Sequence, residues 1–335
     1  MKVLWKRWDA YWFRRTPLVD LAVCRIIIVG CQVALLLGRD YHSRFVQLAA
    51  LPNAFYEPLP ILQLMFLPFG TRMYRPSLPI FEVVFWITVA VGVLGLIGLK
   101  TRPSLLLFAL GNAFLSAANY SFGKKIDHND ALMVIALGIL TLSQAGAVLS
   151  VDAWRRRSSA GAKAGRHDPT SLLETQSPFA RWPLLLIRWL FAFIYASAAI
   201  NKLTASGLDW MNGYSLQHSL VHDALRSGRP LGLWIGQHHA LARLLSWVTI
   251  FFEGTFFLTL LVPRLAWIFL PLGVLLHVGI YVTMGPAFFE FIVIYAVFIP
   301  WAECFKILSR RHGLLQRGGP LLAPSGGFAV SEKPT

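Results

Sequence analysis

The sequence predicts an all-α fold, a polytopic integral membrane helix bundle with about eight transmembrane helices. Three observations lead to this prediction. Of the 335 residues, 56% are hydrophobic and only 14% are charged, whereas soluble domains carry about 25% charged residues. The mean hydropathy is +0.57. Several apolar runs are long enough to cross a hydrocarbon core, which needs about 20 helical residues.

The predicted spans lie at roughly 18–38, 79–99, 102–122, 130–150, 182–203, 241–262, 264–285 and 287–305. The first run is not a cleavable signal, because the preceding segment carries basic residues and several tryptophans and no small-residue cleavage site follows. The apolar stretch 55–69 is short and broken by proline, so we expect an interfacial or re-entrant loop there.

The distribution of basic residues predicts the orientation of these spans, because cytoplasmic loops are enriched in lysine and arginine. With eight spans, the strongest basic clusters fall on one side, which we expect to be the cytoplasm. The predicted regions are a basic cytoplasmic segment over 1–17, a transmembrane domain over 18–305 and a basic, disordered cytoplasmic tail over 306–335. The segment 155–178 is predicted to be a flexible cytoplasmic linker.

The net charge of +15 does not indicate a nucleic-acid partner, because the basic residues stand in short segments between apolar runs. The expected partner of such a surface is the lipid bilayer. Cys24, Cys31 and Cys304 form no CxxC motif. No redox or metal site is therefore predicted.

Two ionisable residues lie inside predicted spans. Arg25 is about 10 Å into the first span by helical rise, and Glu253 lies at a similar depth in the sixth. A charge inside a bilayer normally faces a partner or a wet cavity. We therefore predict that Arg25 and Glu253 form an ion pair, and a structural role for this pair is favoured over a chemical one.

Acid and base groups converge on the outer half of the predicted bundle. They are His128 and Asp130 at the start of the fourth span, Lys202 at the end of the fifth, His277 within the seventh and Glu290 at the start of the eighth. Each also has a simpler explanation. A lysine at a span end commonly snorkels, a histidine can be a satisfied core donor, and terminal carboxylates are often solvated.

The segment after Lys202 is predicted to fold back over the outer mouth of the bundle. Gly207 and Gly213 allow a tight return of the chain, with Trp210 between them. Tyr195, Trp210 and Tyr214 then line an aromatic pocket for a flat ring, or they belong to an ordinary interfacial belt.

Five stretches occur in the order found in a known family: LAVCRIIIVG, GLIGLKTRPSLLLFALGNAF, DHNDALMVIALGIL, INKLTASGLDWMNGYSLQHSL and LLHVGIYVTMG. The sequence resembles the vitamin K-dependent gamma-carboxylase family, in particular its membrane portion, known in bacteria as the horizontally transferred transmembrane (HTTM) domain. The resemblance covers roughly residues 17–305, and its most specific part is Lys-Leu followed by Asp-Trp and Gly-Tyr-Ser.

The resemblance implies a catalytic role for Lys202, as the base that activates a reduced quinone similar to vitamin K hydroquinone. It also implies functional roles for His128 and His277. A desolvated lysine can become a neutral amine and accept a proton, whereas a carboxylate partner such as Glu290 or Asp130 would hold it charged. The candidate substrate or cofactor pocket comprises Asn201, Asp209, Trp210, Gly213, Tyr214, Asp130 and Glu290.

Three functions remain open from the sequence. The first is a membrane enzyme, lyase-like, with quinol- or lipid-ring-dependent base chemistry at an outward-facing site. The second is a non-catalytic accessory or binding protein that acts with a membrane or peptide partner in peptide maturation or export. A transporter is least favoured, because neither an internal repeat nor paired broken helices are found.

The family's carboxylases carry a large extramembrane region that binds their protein substrates. We expect no such region here, so a smaller substrate is favoured over a protein. The expected location is a bacterial inner (plasma) membrane, with both termini cytoplasmic.

Overall fold

A computed structural model describes residues 2–38, 41–70, 75–123, 128–159 and 169–317, which are almost entirely helical. The α-helices are α1 (Lys2–Phe13), α2 (Leu18–Gly38), α3 (Tyr41–Ala49), α4 (Pro60–Phe66), α5 (Leu78–Ile97), α6 (Thr101–Tyr120), α7 (His128–Thr141), α8 (Val151–Ser159), α9 (Pro169–Glu174), α10 (Arg181–Ser206), α11 (Tyr214–Ser227), α12 (Pro230–Gly236), α13 (His239–Thr255), α14 (Leu258–Leu261), α15 (Ala266–Met284), α16 (Phe289–Ile294) and α17 (Trp301–Arg317). Two short strands, β1 (Thr16–Pro17) and β2 (Gln176–Ser177), pair antiparallel.

Within the described residues, five helical segments are long and apolar enough to cross a membrane, and a sixth is added if α16 and α17, bent by 72°, count as one span. The five are α2, α5, α10 with its flanking turns, α13 with α14, and α15. This finding supports a polytopic membrane bundle. The other two predicted spans coincide with α6 and α7, which are less apolar or shorter.

Helix α6 is less apolar because it carries polar residues on a face that packs inside the bundle. Asn112 is buried and accepts a hydrogen bond from Gln32 on α2 at 2.7 Å. Its amide group donates to the carbonyl oxygen of Phe108 at 2.8 Å. Asn119 likewise donates to Leu115 at 3.0 Å. These bonds lower the cost of burying amide groups away from water.

Several connections lie together at one end of the bundle. Pairing of β1 with β2 places the start of α2 beside the start of α10. Asp20 accepts a hydrogen bond from the backbone of Ala302 at the start of α17, at 2.7 Å. Asp152, after α7, accepts one from the backbone of Lys100 in the turn between α5 and α6, at 2.9 Å. This region, which also carries the basic residues Lys100, Arg102 and Arg156, is called the basic end.

Two predicted flexible regions are partly helical. The tail predicted to be disordered from 306 continues α17 as far as Arg317. Helix α17 packs on α2, and Ala302 near its start is buried there. The predicted linker contains α8, α9 and β2. Residues 318–335 and 160–168 lie outside the described part of the chain. The stretch 55–69 contains the short helix α4 and is not a candidate span.

Candidate functional site

Lys202 and Glu253 form an ion pair between α10 and α13. The ammonium nitrogen of Lys202 lies 2.8 Å from Oε1 and 2.7 Å from Oε2 of Glu253. The side chain of Glu253 is only 10% exposed and that of Lys202 is 26% exposed. Because side chains on a helix lean toward its N-terminus, Lys202 near the end of α10 leans into the bundle. The lysine thus has a carboxylate partner, though neither of the two that the sequence suggested.

The predicted ion pair between Arg25 and Glu253 is wrong. Arg25 is completely buried, and its Nη2 donates a hydrogen bond to the carbonyl oxygen of Leu149 at 2.6 Å. Helical rise gave a similar depth for Arg25 and Glu253 but gave no information on which helices are neighbours. Since α10 packs directly against α13, Lys202 occupies the position beside Glu253.

The segment after Lys202 folds back toward this pair. Residues Gly207–Asn212 form a short 3-10 helix, and the Nζ of Lys202 lies 5.4 Å from the centre of the half-buried Trp210 ring. This distance permits a cation–π interaction. Gly213 has a φ of +96°, and a Cβ there would lie 2.6 Å from the Cα of Arg243 on α13. Only glycine combines this backbone conformation with so close an approach.

A second polar cluster is buried among aromatic rings. The hydroxyl of Tyr195 lies 3.2 Å from Nε2 of His277 and 2.6 Å from the hydroxyl of Tyr295. All three side chains are at most 5% exposed. Tyr195 is two turns before Lys202 on the same face of α10. The cluster therefore ties α10 and α15 to the segment after α16, beside the ion pair.

Gly273 makes room for this cluster on α15. A Cβ at Gly273 would lie 1.9 Å from the hydroxyl of Tyr295 and 3.0 Å from the ring of Phe252. Gly273 precedes His277 by one helical turn, so both face the same neighbours. The spacing Gly-x-x-x-His was visible in the sequence, but it does not identify Tyr295 as the residue that fills the space.

The remaining predicted pocket residues divide into exposed and buried positions. Asn201, Asp209 and Tyr214 are exposed. Tyr214 stacks on His239, with ring centres 4.3 Å apart.

Asp130 and Glu290 occupy buried positions. Asp130 accepts a hydrogen bond from the hydroxyl of Tyr120 at 2.5 Å, and Glu290 is completely buried at the start of α16. The side chain of His128 lies outside the described residues. In the described part of the chain, no three His, Cys, Asp or Glu side chains are placed to hold a metal ion.

An apolar cavity of about 720 Å³ lies between α13 and α15 and is bordered at one end by α11 and α12. Its walls include Thr249 and Phe252 from α13 and Leu276 and Gly279 from α15. Phe252 also packs edge-on against Tyr195, with ring centres 5.3 Å apart. Phe252 thus contacts both this cavity and the buried polar cluster.

The family comparison accounts for most of the chain. Residues 13–302 match the HTTM domain. The chain belongs to the HTTM domain family. This match confirms the family suggested by the sequence and, together with the apolar helices, supports an integral membrane protein. No curated protein and no solved structure matches this HTTM protein.

Proposed function

We propose that this HTTM protein binds a lipid-soluble hydroxyl-bearing ring, such as a reduced quinone, beside Lys202 and Glu253 and removes a proton from it. The observation that carries the proposal is the close pairing of an ammonium and a carboxylate within an apolar bundle. The carboxylate of Glu253 accepts the proton of the ring hydroxyl. Lys202 then faces the newly formed oxyanion and stabilises it.

Charge balance favours Glu253 over Lys202 as the proton acceptor. Before transfer, the site holds one ammonium and one carboxylate; after transfer, it holds one ammonium and one oxyanion. The number of charges does not change. A neutral lysine that took the proton would create a new ion pair in an apolar environment, where desolvation is costly. In this proposal the role that the resemblance gave to Lys202 is divided between the two residues.

The apolar cavity between α13 and α15 fits the hydrocarbon tail of such a ligand. Binding pockets for small molecules are largely apolar, with a few polar groups that fix orientation. A tail in this cavity would end at Phe252, whose chain neighbour is Glu253. Trp210 would cover the ring from the other side. Tyr195 and His277 act as positioning residues, because their hydrogen bonds hold α10 and α15 in place.

For the membrane topology, we infer eight crossings with both termini cytoplasmic and the Lys202 site facing outward. The starts of α2, α10 and α17 and the α5–α6 turn lie at one end of the bundle. This arrangement supports an even number of crossings between the start of α2 and the start of α17. Helices α6 and α7 are then inner crossings, whose polar groups face other helices. The basic clusters near that end support a cytoplasmic side.

Lipid analysis of the purified protein tests ligand binding. The protein is isolated in a mild detergent, and the bound lipids are extracted and identified by mass spectrometry. We expect a co-purifying quinone with the wild type and a clear loss of it in Gly279→Leu, which fills the cavity. The exposed-residue variant Leu225→Ala is the control. If no ring-bearing lipid is found, and added quinol does not bind, the protein is a scaffold or accessory protein instead.

A further inference from the structure

A second cavity, of about 650 Å³, opens at the basic end. It lies between the turn that joins α5 to α6 and the loop and helix that follow α7. Its walls include three basic side chains, those of Lys100, Arg102 and Arg156, together with Asp152. The neighbouring Ser143 and Gln144 add polar groups. None of these residues belongs to the Lys202 site.

Asp152 offsets only one of the three positive charges of this cavity, and its carboxylate oxygens are occupied by the start of α6. It accepts hydrogen bonds from the backbone of Lys100 at 2.9 Å and from the backbone and hydroxyl of Thr101 at 2.7 and 2.8 Å. Burial raises the pKa of Asp152, but these hydrogen bonds and the positive charge of Arg156 outweigh it and hold the pKa below its ordinary value. The carboxylate therefore stays ionised and bound to α6.

The two arginines keep donors for a ligand. Each guanidinium carries five N–H groups. Toward the described residues, Arg102 donates only from Nε, to the carbonyl oxygen of Ser143 at 3.4 Å. Arg156 donates from Nη2 to the carbonyl oxygen of Gly146 at 2.9 Å and, more weakly, to that of Ala147 at 3.5 Å. Both side chains are exposed, and within the described part of the chain their other N–H groups make no hydrogen bond, so these groups can reach a ligand.

The backbone around the cavity is held in an unusual conformation. Lys100 and Leu149 have φ values of +45° and +49°, although neither is glycine. Such left-handed conformations carry strain and often accompany functional sites. The bonds to Asp152 fix Lys100, and the bond from Arg25 fixes Leu149. The cavity walls are therefore preorganised.

We propose that this cavity binds a phosphate group between Lys100, Arg102 and Arg156, either in the headgroup of an anionic phospholipid or in a soluble phosphate. Arginine matches phosphate oxygens with paired hydrogen bonds. Basic pockets between transmembrane helices are suited to anionic headgroups. The cavity volume leaves room for the group to which the phosphate is attached.

The test uses the full protein in phosphatidylcholine nanodiscs, with two arms that distinguish the sources. In the first arm, a minor fraction of phosphatidylglycerol is added, and native mass spectrometry counts the retained phosphatidylglycerol. In the second, inorganic phosphate is compared with chloride at equal ionic strength, and the melting temperature is measured. Binding in the first arm assigns a lipid headgroup; a phosphate-specific rise in melting temperature assigns a soluble phosphate.

The matched variants are Arg102→Gln/Arg156→Gln and, as a control, Arg155→Gln/Arg157→Gln, which removes the same charge from exposed positions of α8 outside the cavity wall. We expect the first pair to weaken binding by about tenfold for each arginine, with little change in the control. Arg102→Gln alone serves if the double variant does not fold. Absence of binding in both arms, or equal losses in pocket and control variants, would overturn the proposal.

Discussion

Lys202 and Glu253 hold each other across α10 and α13, with the ammonium nitrogen 2.7 and 2.8 Å from the two carboxylate oxygens. Removing one member of a buried pair leaves an uncompensated charge. Because Lys202 is partly exposed, we predict that Lys202→Met and Glu253→Gln each lower the free energy of unfolding by about 1–3 kcal/mol. Thermal unfolding in a mild detergent measures this change.

The double variant Lys202→Met/Glu253→Gln should cost less than the sum of the two single variants, because no unpaired charge remains. Additive costs would mean that the two side chains do not interact in the membrane.

Gly273→Ala should displace the ring of Tyr295, because the added methyl group overlaps its hydroxyl. Overpacking of this kind costs about 1–3 kcal/mol. Gly279→Ala on the same helix is the matched control, since a Cβ there meets no atom of the described residues within 4 Å. Equal melting temperatures for the two variants would contradict the close packing of α15 against Tyr295.

Tyr195→Phe removes the hydroxyl that lies between His277 and Tyr295. The buried side chains of His277 and Tyr295 then each lose a hydrogen bond. Each loss costs about 1–3 kcal/mol. We expect a lower melting temperature and, in quinol titrations, weaker binding. Tyr214→Phe removes a hydroxyl from an exposed ring and should change neither property. A stable Tyr195→Phe protein with unchanged binding would argue against a positioning role.

Asp152 should make stability depend on acid pH. Its pKa is lower in the folded protein than the reference value of 3.8, so the unfolded chain binds the proton more tightly. The stabilising contribution is therefore complete above this reference value and is lost as the pH falls through the folded pKa. Asp152→Ala should lower the melting temperature at neutral pH and remove that part of the acid dependence. Melting curves between neutral pH and about pH 3 distinguish the two proteins.

The membrane bundle was predictable because composition and long apolar runs depend on local sequence alone. Helix α6 met the length requirement, but its buried Asn112 made it less apolar than a lipid-facing span. The bend between α16 and α17 was not predicted from the length of the apolar run, which looked like one continuous crossing. The order of helices around the bundle was also not accessible from helical rise.

The site was predicted only in part, because the sequence shows the chemistry of single residues but not which helices are neighbours. Lys202 and His277 were singled out by their chemistry. Lys202 lies where α10 meets α13, and His277 lies where α15 meets α10. The partners Glu253 and Tyr295 depend on which helices are neighbours, so depth alone paired Glu253 with the wrong residue. Asn201 is exposed on one face of α10, whereas Asp209 and Tyr214 belong to the segment that turns back at Gly207 and Gly213.

Proton transfer from a bound ring to the ion pair is tested most directly by the absorption spectrum of a bound naphthoquinol. Neutral and ionised naphthoquinols absorb at different wavelengths, so an anaerobic titration reports the protonation state in the site. We expect the wild type to bind the ionised form without releasing a proton to the medium, because Glu253 keeps the proton, whereas in Glu253→Gln each ionised ring formed beside the unpaired Lys202 releases one proton. Release of one proton per ionised ring in both proteins, or the neutral form alone in the wild type, would contradict the assignment of Glu253 as the proton acceptor.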